Sequence, residues 1–429
     1  MILLCIPVST VSQNLDVVES IVPPGVIFEA LALNKDLPTP AKPKYRSPTM
    51  LTISPDGNRM YICEQTAKRI TVFDVPAKKM LPDRFLLPNE VTGCAVSING
   101  RTLFATCGSE YRPEGLVCEV DVASGKVTKR IAVGRYPRSP VLSPDGTRLF
   151  ICNQFSGSVS VIDVGKHLES DTITIVREPC ALDITPDGKK LVVGHLLPDD
   201  RSTDSAFISS TISIIELATR RVDTIRLPPG SKSIGGLTVS PDGRYAFTTH
   251  LTGRFMLPVI SLQHGWVQSN QLAIIDLQAN KLLNDVCLDL ATHGNADPWT
   301  VTCSPDSQYL VVAHAGSNEL SIIRFPDLID KVVAAAVAGT DLSRDFTAIS
   351  KFTTRVPVAT KCPRTLAIAG SNVFTAGYFD DAAASMEELD LSAPPQFSLR
   401  THIIGESQLQ NGERNGENNI MRNSVFKSG

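Results

Sequence analysis

Short apolar runs of four to seven residues, each closed by a polar turn, recur along most of the chain. The stretch beginning at Ser240 shows the unit best. A Ser-Pro-Asp-Gly turn is followed by an apolar run ending at His250, an excursion of about 20 residues, and a second apolar run from Leu272 to Leu277. Proline presets φ, aspartate bonds its own backbone and glycine takes the positive φ, so the turn joins two strands of a hairpin. The same signal begins at Ser54, Ser97 (Ser-Ile-Asn-Gly), Ser143, Thr185, Ser240 and Ser304 (Ser-Pro-Asp-Ser), and in degraded form at Ala369 (Ala-Gly-Ser-Asn). Successive intervals are 43, 46, 42, 55, 64 and 65 residues, so the basic period is 42 to 46 and the longer units carry insertions. A period of that length with four strands per unit marks a propeller blade.

The strands can be read from the runs. In the third unit they are residues 138–143, 147–153, 158–164 and 172–178, and in the seventh 364–370, 372–378, 386–391 and 396–403. The expected fold is therefore all-β: a seven-bladed propeller of four-stranded antiparallel blades over residues 46–404, each sheet packed on its neighbours around an axis. One short helical insertion is expected where Pro-Asp precedes an Ala/Val/Leu run (residues 326–342), between outer strands at the edge of the disc. Residues 1–45 read as an irregular lead-in with one β-like run at Val26–Leu33, either a surplus strand or a replacement for the weak last one. Residues 405–429, rich in Asn, Gly and Glu, read as a polar disordered tail or linker.

Composition narrows the function. A formal net charge of −3 leaves no basic stripe for a phosphate backbone, so nucleic acid is not an expected partner. No run approaches the roughly 18 apolar residues of a membrane span. The first residues, MILLCIPVSTVSQ, have a short apolar stretch but no preceding Lys or Arg and no clear cleavage site. The ten cysteines include no Cys-x-x-Cys and no Cys-x-x-Cys-His. Cys63, Cys152 and Cys303 fall inside apolar runs and read as buried thiols, while Cys107 and Cys118 flank one loop and form the one local pair placed for a disulfide.

In a propeller the first strand of each blade crosses the disc and the second returns, so the Pro-Asp-Gly turns line one face and the second-strand ends line the other. Eight residues past the turn Asp or Asn stand Glu64, Cys107, Asn153, His195, His250 and His314, and the seventh unit offers Gly377 or Tyr378. Five residues before each turn, at the same mouth, stand Thr49, Thr92, Arg138, Cys180, Gly235, Trp299 and Arg364. The two longest loops there, Leu196 to Ser210 and Leu251 to Asn270, add Arg254, His264 and Trp266. Long loops in compact domains are functional or disordered, and the second of these is apolar enough to pack down or against a partner. Each residue also has a structural reading: a strand-end histidine bonds the adjacent loop, an arginine ties two blades through carbonyls, and Trp299 caps the core. A metal held by His195, His250 and His314 would need all three nitrogens about 2 Å from one ion.

Residues 250–277 (HLTGRFMLPVISLQHGWVQSNQLAIIDL) and 296–323 (ADPWTVTCSPDSQYLVVAHAGSNELSII) carry a more specific resemblance. The repeats resemble the YVTN type of bacterial β-propeller repeat, and these two segments are similar to the propeller half of exported proteins that join such a propeller to a cytochrome c peroxidase-like haem module. The likeness covers about residues 45–404. It implies a periplasmic or cell-surface setting and proximity to electron transfer. It places His250, Arg254, Pro258, Gly265, Trp266 and Asn270 in the fifth-blade loop, and Pro298, Trp299, His314, Ala315 and Gly316 in the sixth blade. The Cys-x-x-Cys-His module that follows the polar link in those relatives is missing from this sequence.

The expected function is a non-enzymatic binding or scaffold module with no catalytic residue and no cofactor of its own. It would dock a protein partner, a haem or electron-transfer protein, through the face carrying Arg138, His195, His250, Arg254, His264, Trp266, Trp299, His314 and Arg364. Two alternatives come from other classes. A lactonase-type hydrolase with a channel-mouth metal would want several convergent carboxylates or amides, where the ring offers Glu64 and Asn153. A propeller binding haem non-covalently would use His250 or His314 as axial ligand, with Arg138 or Arg364 on the propionates.

Overall fold

The computed structural model describes residues 46–403 apart from 199–206, 255–267, 291–293, 380–384, 393–396 and 398. The lead-in with its Val26–Leu33 run and the tail beyond residue 404 lie outside the described residues.

The described residues form seven antiparallel sheets, spanning 48–86, 91–133, 137–174, 179–226, 231–287, 298–357 and 367–403 in chain order. Six have four strands. The fifth has five, because its first strand is broken into Ser231–Lys232 and Leu237–Val239. Every blade is one contiguous piece of chain, and blade seven is complete with its own fourth strand, Leu399–Ile403. The expected seven-bladed all-β architecture is what the chain adopts.

Local chemistry explains the hairpins. In the first turn the Ser54 hydroxyl donates to the Asp56 carboxylate, which also accepts from the Asn58 amide, while Gly57 sits at φ 73°. Ser143 with Asp145, Ser240 with Asp242 and Ser304 with Asp306 repeat the arrangement. These bonds hold the Asp145 carboxyl down to about 2. Burial then falls from the middle of each blade outward. Strand Arg59–Glu64 is buried at five of six positions, whereas the outermost strand Lys79–Leu86 is buried at one of eight. Middle strands covered by neighbouring blades on both faces read as continuous apolar runs; the polar outer strand blunts the open edge of its sheet.

A relay of side-chain bonds joins neighbouring blades, mostly from innermost strand to innermost strand. Thr49 donates to the Val91 carbonyl, Thr92 to Pro137, Ser139 to Cys180, the Cys180 thiol to Ile234, Thr249 to Trp299 and Thr300 to Arg364. The ring then closes between blades seven and one. Phe73 packs edge-on against Phe374, and Glu388 accepts from both Lys78 Nζ and His402 Nε2 at 2.7 Å.

The helix, Phe325–Ala338, lies between the third and fourth strands of blade six, as expected. Pro326 opens it and Gly339, at φ 66°, ends it. Phe325, Leu328, Val332 and Ala335 form its buried face, which fills the wedge between blades five and six with Phe247 against Phe325. Several boundaries differ from the sequence reading, among them the first strand of blade seven, Ala367–Ala369 rather than 364–370. The fourth strand of blade three is Leu168–Thr174 rather than 172–178, because it pairs directly after its turn (Asp163 opposite Leu168) through polar residues that an outer strand accommodates. In blade five the hairpin continues past His250 until Gly253 faces Gln268, so the excursion is shorter than the apolar runs suggest.

Candidate functional site

The six strand-end residues read as a ring do share a register, and all six side chains are fully buried. Five of the six reach diagonally across their own sheet, to the residue two beyond the cross-strand neighbour. Glu64 accepts from Thr71 at 3.1 Å, Asn153 donates to Ser160 at 2.7 Å, His195 Nε2 meets Ser213 at 2.8 Å and His314 Nε2 meets Ser321 at 2.8 Å. Cys107 and Cys118 occupy the same pair of positions in blade two. Their sulfurs are 4.0 Å apart and both are free thiols, so the pairing read from the sequence is a contact and not a disulfide. In blade five the diagonal position is Ala273, and the His250 imidazole passes over it to donate to Asp285 Oδ1, which stands opposite Ala273 on the fourth strand.

The three histidines therefore do not converge on the channel; each fastens its own blade. Among the described residues no group of three His, Cys, Asp or Glu side chains is placed to hold a metal ion. Burial, helped by the Arg355 guanidinium, lowers the His314 pKa to about 3, so the ring is neutral. A haem iron would need an imidazole nitrogen presented to open space. His250 and His314 are sealed inside their sheets with Nε2 already bonded, so they do not fit as axial ligands. Burial likewise pushes the Cys180 and Cys287 thiols up to about 12, away from nucleophilic use.

The other ring behaves differently. A cavity of about 240 Å³ opens at the channel mouth, and Thr49, Thr92, Arg138, Gly235, Trp299 and Arg364 all line it. Cys180, the seventh of that set, turns its thiol to backbone carbonyls instead. Gln65, Gln154 and Leu196, each one residue beyond a buried fastener, complete the wall with Tyr136 and Tyr378. Side chains alternate across a strand, so the channel-facing position is the one after the register first singled out.

Arg364 is the best-defined group here. Its guanidinium carbon lies 4.1 Å from the Trp299 ring centroid and 4.2 Å from that of Tyr378, and its Nε is buried with no hydrogen-bond partner among the described residues. Arg138 donates to Gln154 Oε1 at 2.9 Å and lies over Tyr136. The carboxylate lining this cavity is Glu110, on an exposed loop. That set, two guanidiniums with one carboxylate and the Gln65 and Gln154 amides, puts two fixed positive charges where a hydrolase metal site would want converging carboxylates.

Around the mouth the loops between second and third strands carry exposed aromatics: Tyr111 (92% exposed) in blade two, Phe155 in blade three, Phe207 in blade four and Phe379 (58%) in blade seven. Phe155 stacks on Tyr136, and Phe379 meets Tyr378 edge-on. Sequence reading passed over these four, although an aromatic at each loop tip was there to be seen. Of the residues it did single out, Arg254 bonds the Ser343 carbonyl and Asn270 bonds Asp289. His264 and Trp266 lie outside the described residues.

No family model matches the chain. Hydrazine synthase subunit beta from Kuenenia stuttgartiensis is 27% identical over 189 residues, 44% of this chain and 47% of the relative, so the match spans about half the relative's length. Among solved structures, Kuenenia stuttgartiensis hydrazine synthase superposes with a TM-score of 0.70 at 24% identity, covering 80% of this chain and 96% of that one. A chain of a mitotic checkpoint complex superposes with a TM-score of 0.56 at 15% identity, covering 86% and 90%. These superpositions show a shared fold. Neither the YVTN repeat nor the cytochrome c peroxidase-like module expected from the sequence is borne out by these relatives.

Proposed function

We propose that this propeller is a non-enzymatic docking subunit that holds a protein partner on the face carrying the channel mouth. The observation that carries the reading is the placement of the four exposed aromatics: all project from loops on that one face. Aromatic side chains anchor interfaces because they bury large rigid area at low entropic cost, and in a monomer they would stay unburied. The relative's name, subunit beta of a synthase, supports work within an assembly. The resemblance to propellers fused to haem modules makes an exported haem or electron-transfer protein the partner class we favour.

Alanine at Tyr111, Phe155 and Phe379 together tests this, with Ile98→Ala on the opposite face as control. Partner recovered from the protein's own cells should drop at least tenfold with the triple variant and stay with the control. A Soret absorbance in the recovered complex would identify the partner class. Equal recovery by both variants would remove the docking face from consideration.

A further inference from the structure

We infer that the channel mouth is a binding pocket for a carboxylate carried on a small apolar or aromatic body, with Arg364 as the recognising group. The inference stands apart from the docking proposal, since an acid-binding pocket needs no rim.

Three observations converge. First, the Arg364 guanidinium carbon lies 4.1 Å from the Trp299 ring centroid and 4.2 Å from that of Tyr378, contacts that hold the group in place, and its Nε is buried with no hydrogen-bond partner among the described residues. A planar fork held in this way has already lost the entropy that binding would otherwise cost, and its geometry matches a carboxylate bidentately. Second, a buried N–H donor without a partner is costly, and Arg364 Nε is such an atom, one that a ligand acceptor in the cavity would satisfy. Third, the cavity is about 240 Å³, its walls include aromatic rings and the side chains of Leu196 and Ile234, and Arg138 supplies a second positive charge. Apolar walls with a few converging polar groups are the usual make-up of a small-molecule site. The walls favour a single planar acid with an apolar body over an inorganic oxyanion, which would want donors on all sides.

The acid has two sources, a free organic acid or the terminus of a peptide chain. Isothermal titration of the whole protein distinguishes them with five probes: benzoate, its neutral isostere benzamide, inorganic sulfate, and a Gly-Gly-Phe peptide with a free and with an amidated C-terminus. Benzoate or the free-acid peptide should bind at one site, with benzamide, sulfate and the amidated peptide at least about tenfold weaker, as the loss of a charge-assisted bond requires. The tighter of the two acids identifies the source. Arg364→Lys keeps the charge and loses the fork; both it and Arg364→Gln should weaken binding at least tenfold, and Arg138→Gln by less. No saturable binding by either acid, equal binding of sulfate, or unchanged binding by Arg364→Lys would each overturn the assignment. Should Arg364→Gln fail to fold, the lysine variant decides.

Discussion

At the end of the second strand of blade six, His314 keeps Nε2 on Ser321 while its Nδ1 has no hydrogen-bond partner among the described residues. Its pKa falls from 6.5 to about 3 because burial excludes the charged ring. Between those two values the unfolded chain takes a proton that the folded chain refuses. This group's contribution is thus fully present above pH 6.5 and declines on acidification by up to about 1.4 kcal/mol per pH unit. Urea unfolding from pH 8 to 4 should show that decline in the wild type and a shallower one in His314→Gln; parallel curves would rule the histidine out as its source. The same residue shows what sequence could and could not tell. Its register was legible from the turn spacing, and its direction was not, because one step along a strand moves a side chain from the channel into the blade. Gln65 lines the cavity while Glu64 beside it is sealed against Thr71 and Arg69.

Among elements, the broken first strand of blade five is the most demanding. A Cβ on Gly235 would meet the Trp299 carbonyl oxygen at 2.4 Å and the Trp299 Cα at 2.8 Å, both main-chain atoms with nowhere to move. Gly235→Ala should therefore destabilise by about 1–3 kcal/mol, as overpacking does. Gly253→Ala, whose nearest neighbour would be 3.7 Å away, should stay within about 0.5 kcal/mol. Chemical denaturation of the two variants checks the contrast, and similar losses would refute the close-approach account. Turns and middle strands were plain in the sequence because a Pro-Asp-Gly turn and a continuous apolar run each have one physical meaning. Outer strands were not: Leu168–Thr174 is buried at one position of seven, so no hydrophobic signal marks where it begins.

On the scale of the whole ring, seven blades follow from seven turns whose basic spacing of 42 to 46 residues is lengthened by insertions in the later units, whereas the closure had no signature, being made by single side chains from opposite ends of the chain. Glu388 sits at that seam. Burial raises its pKa, and the bonds from His402 and Lys78 outweigh that effect and leave it below 4.5. Its contribution is therefore complete above the unfolded value and lost as pH falls through the lowered one. Glu388→Gln should lower the melting temperature at pH 7, with the gap to wild type closing toward pH 3; a constant gap would show that the pair's charge is irrelevant. The cavity straddles this seam. Thr49 and Gln65 belong to the first blade and Arg364 and Tyr378 to the last, with the Tyr378 hydroxyl donating to Gln65 Oε1 at 3.3 Å. A split washer narrows its bore only as far as its two ends are pressed together. Whatever lodges in this bore grips both ends at once and acts as the rivet of the disc.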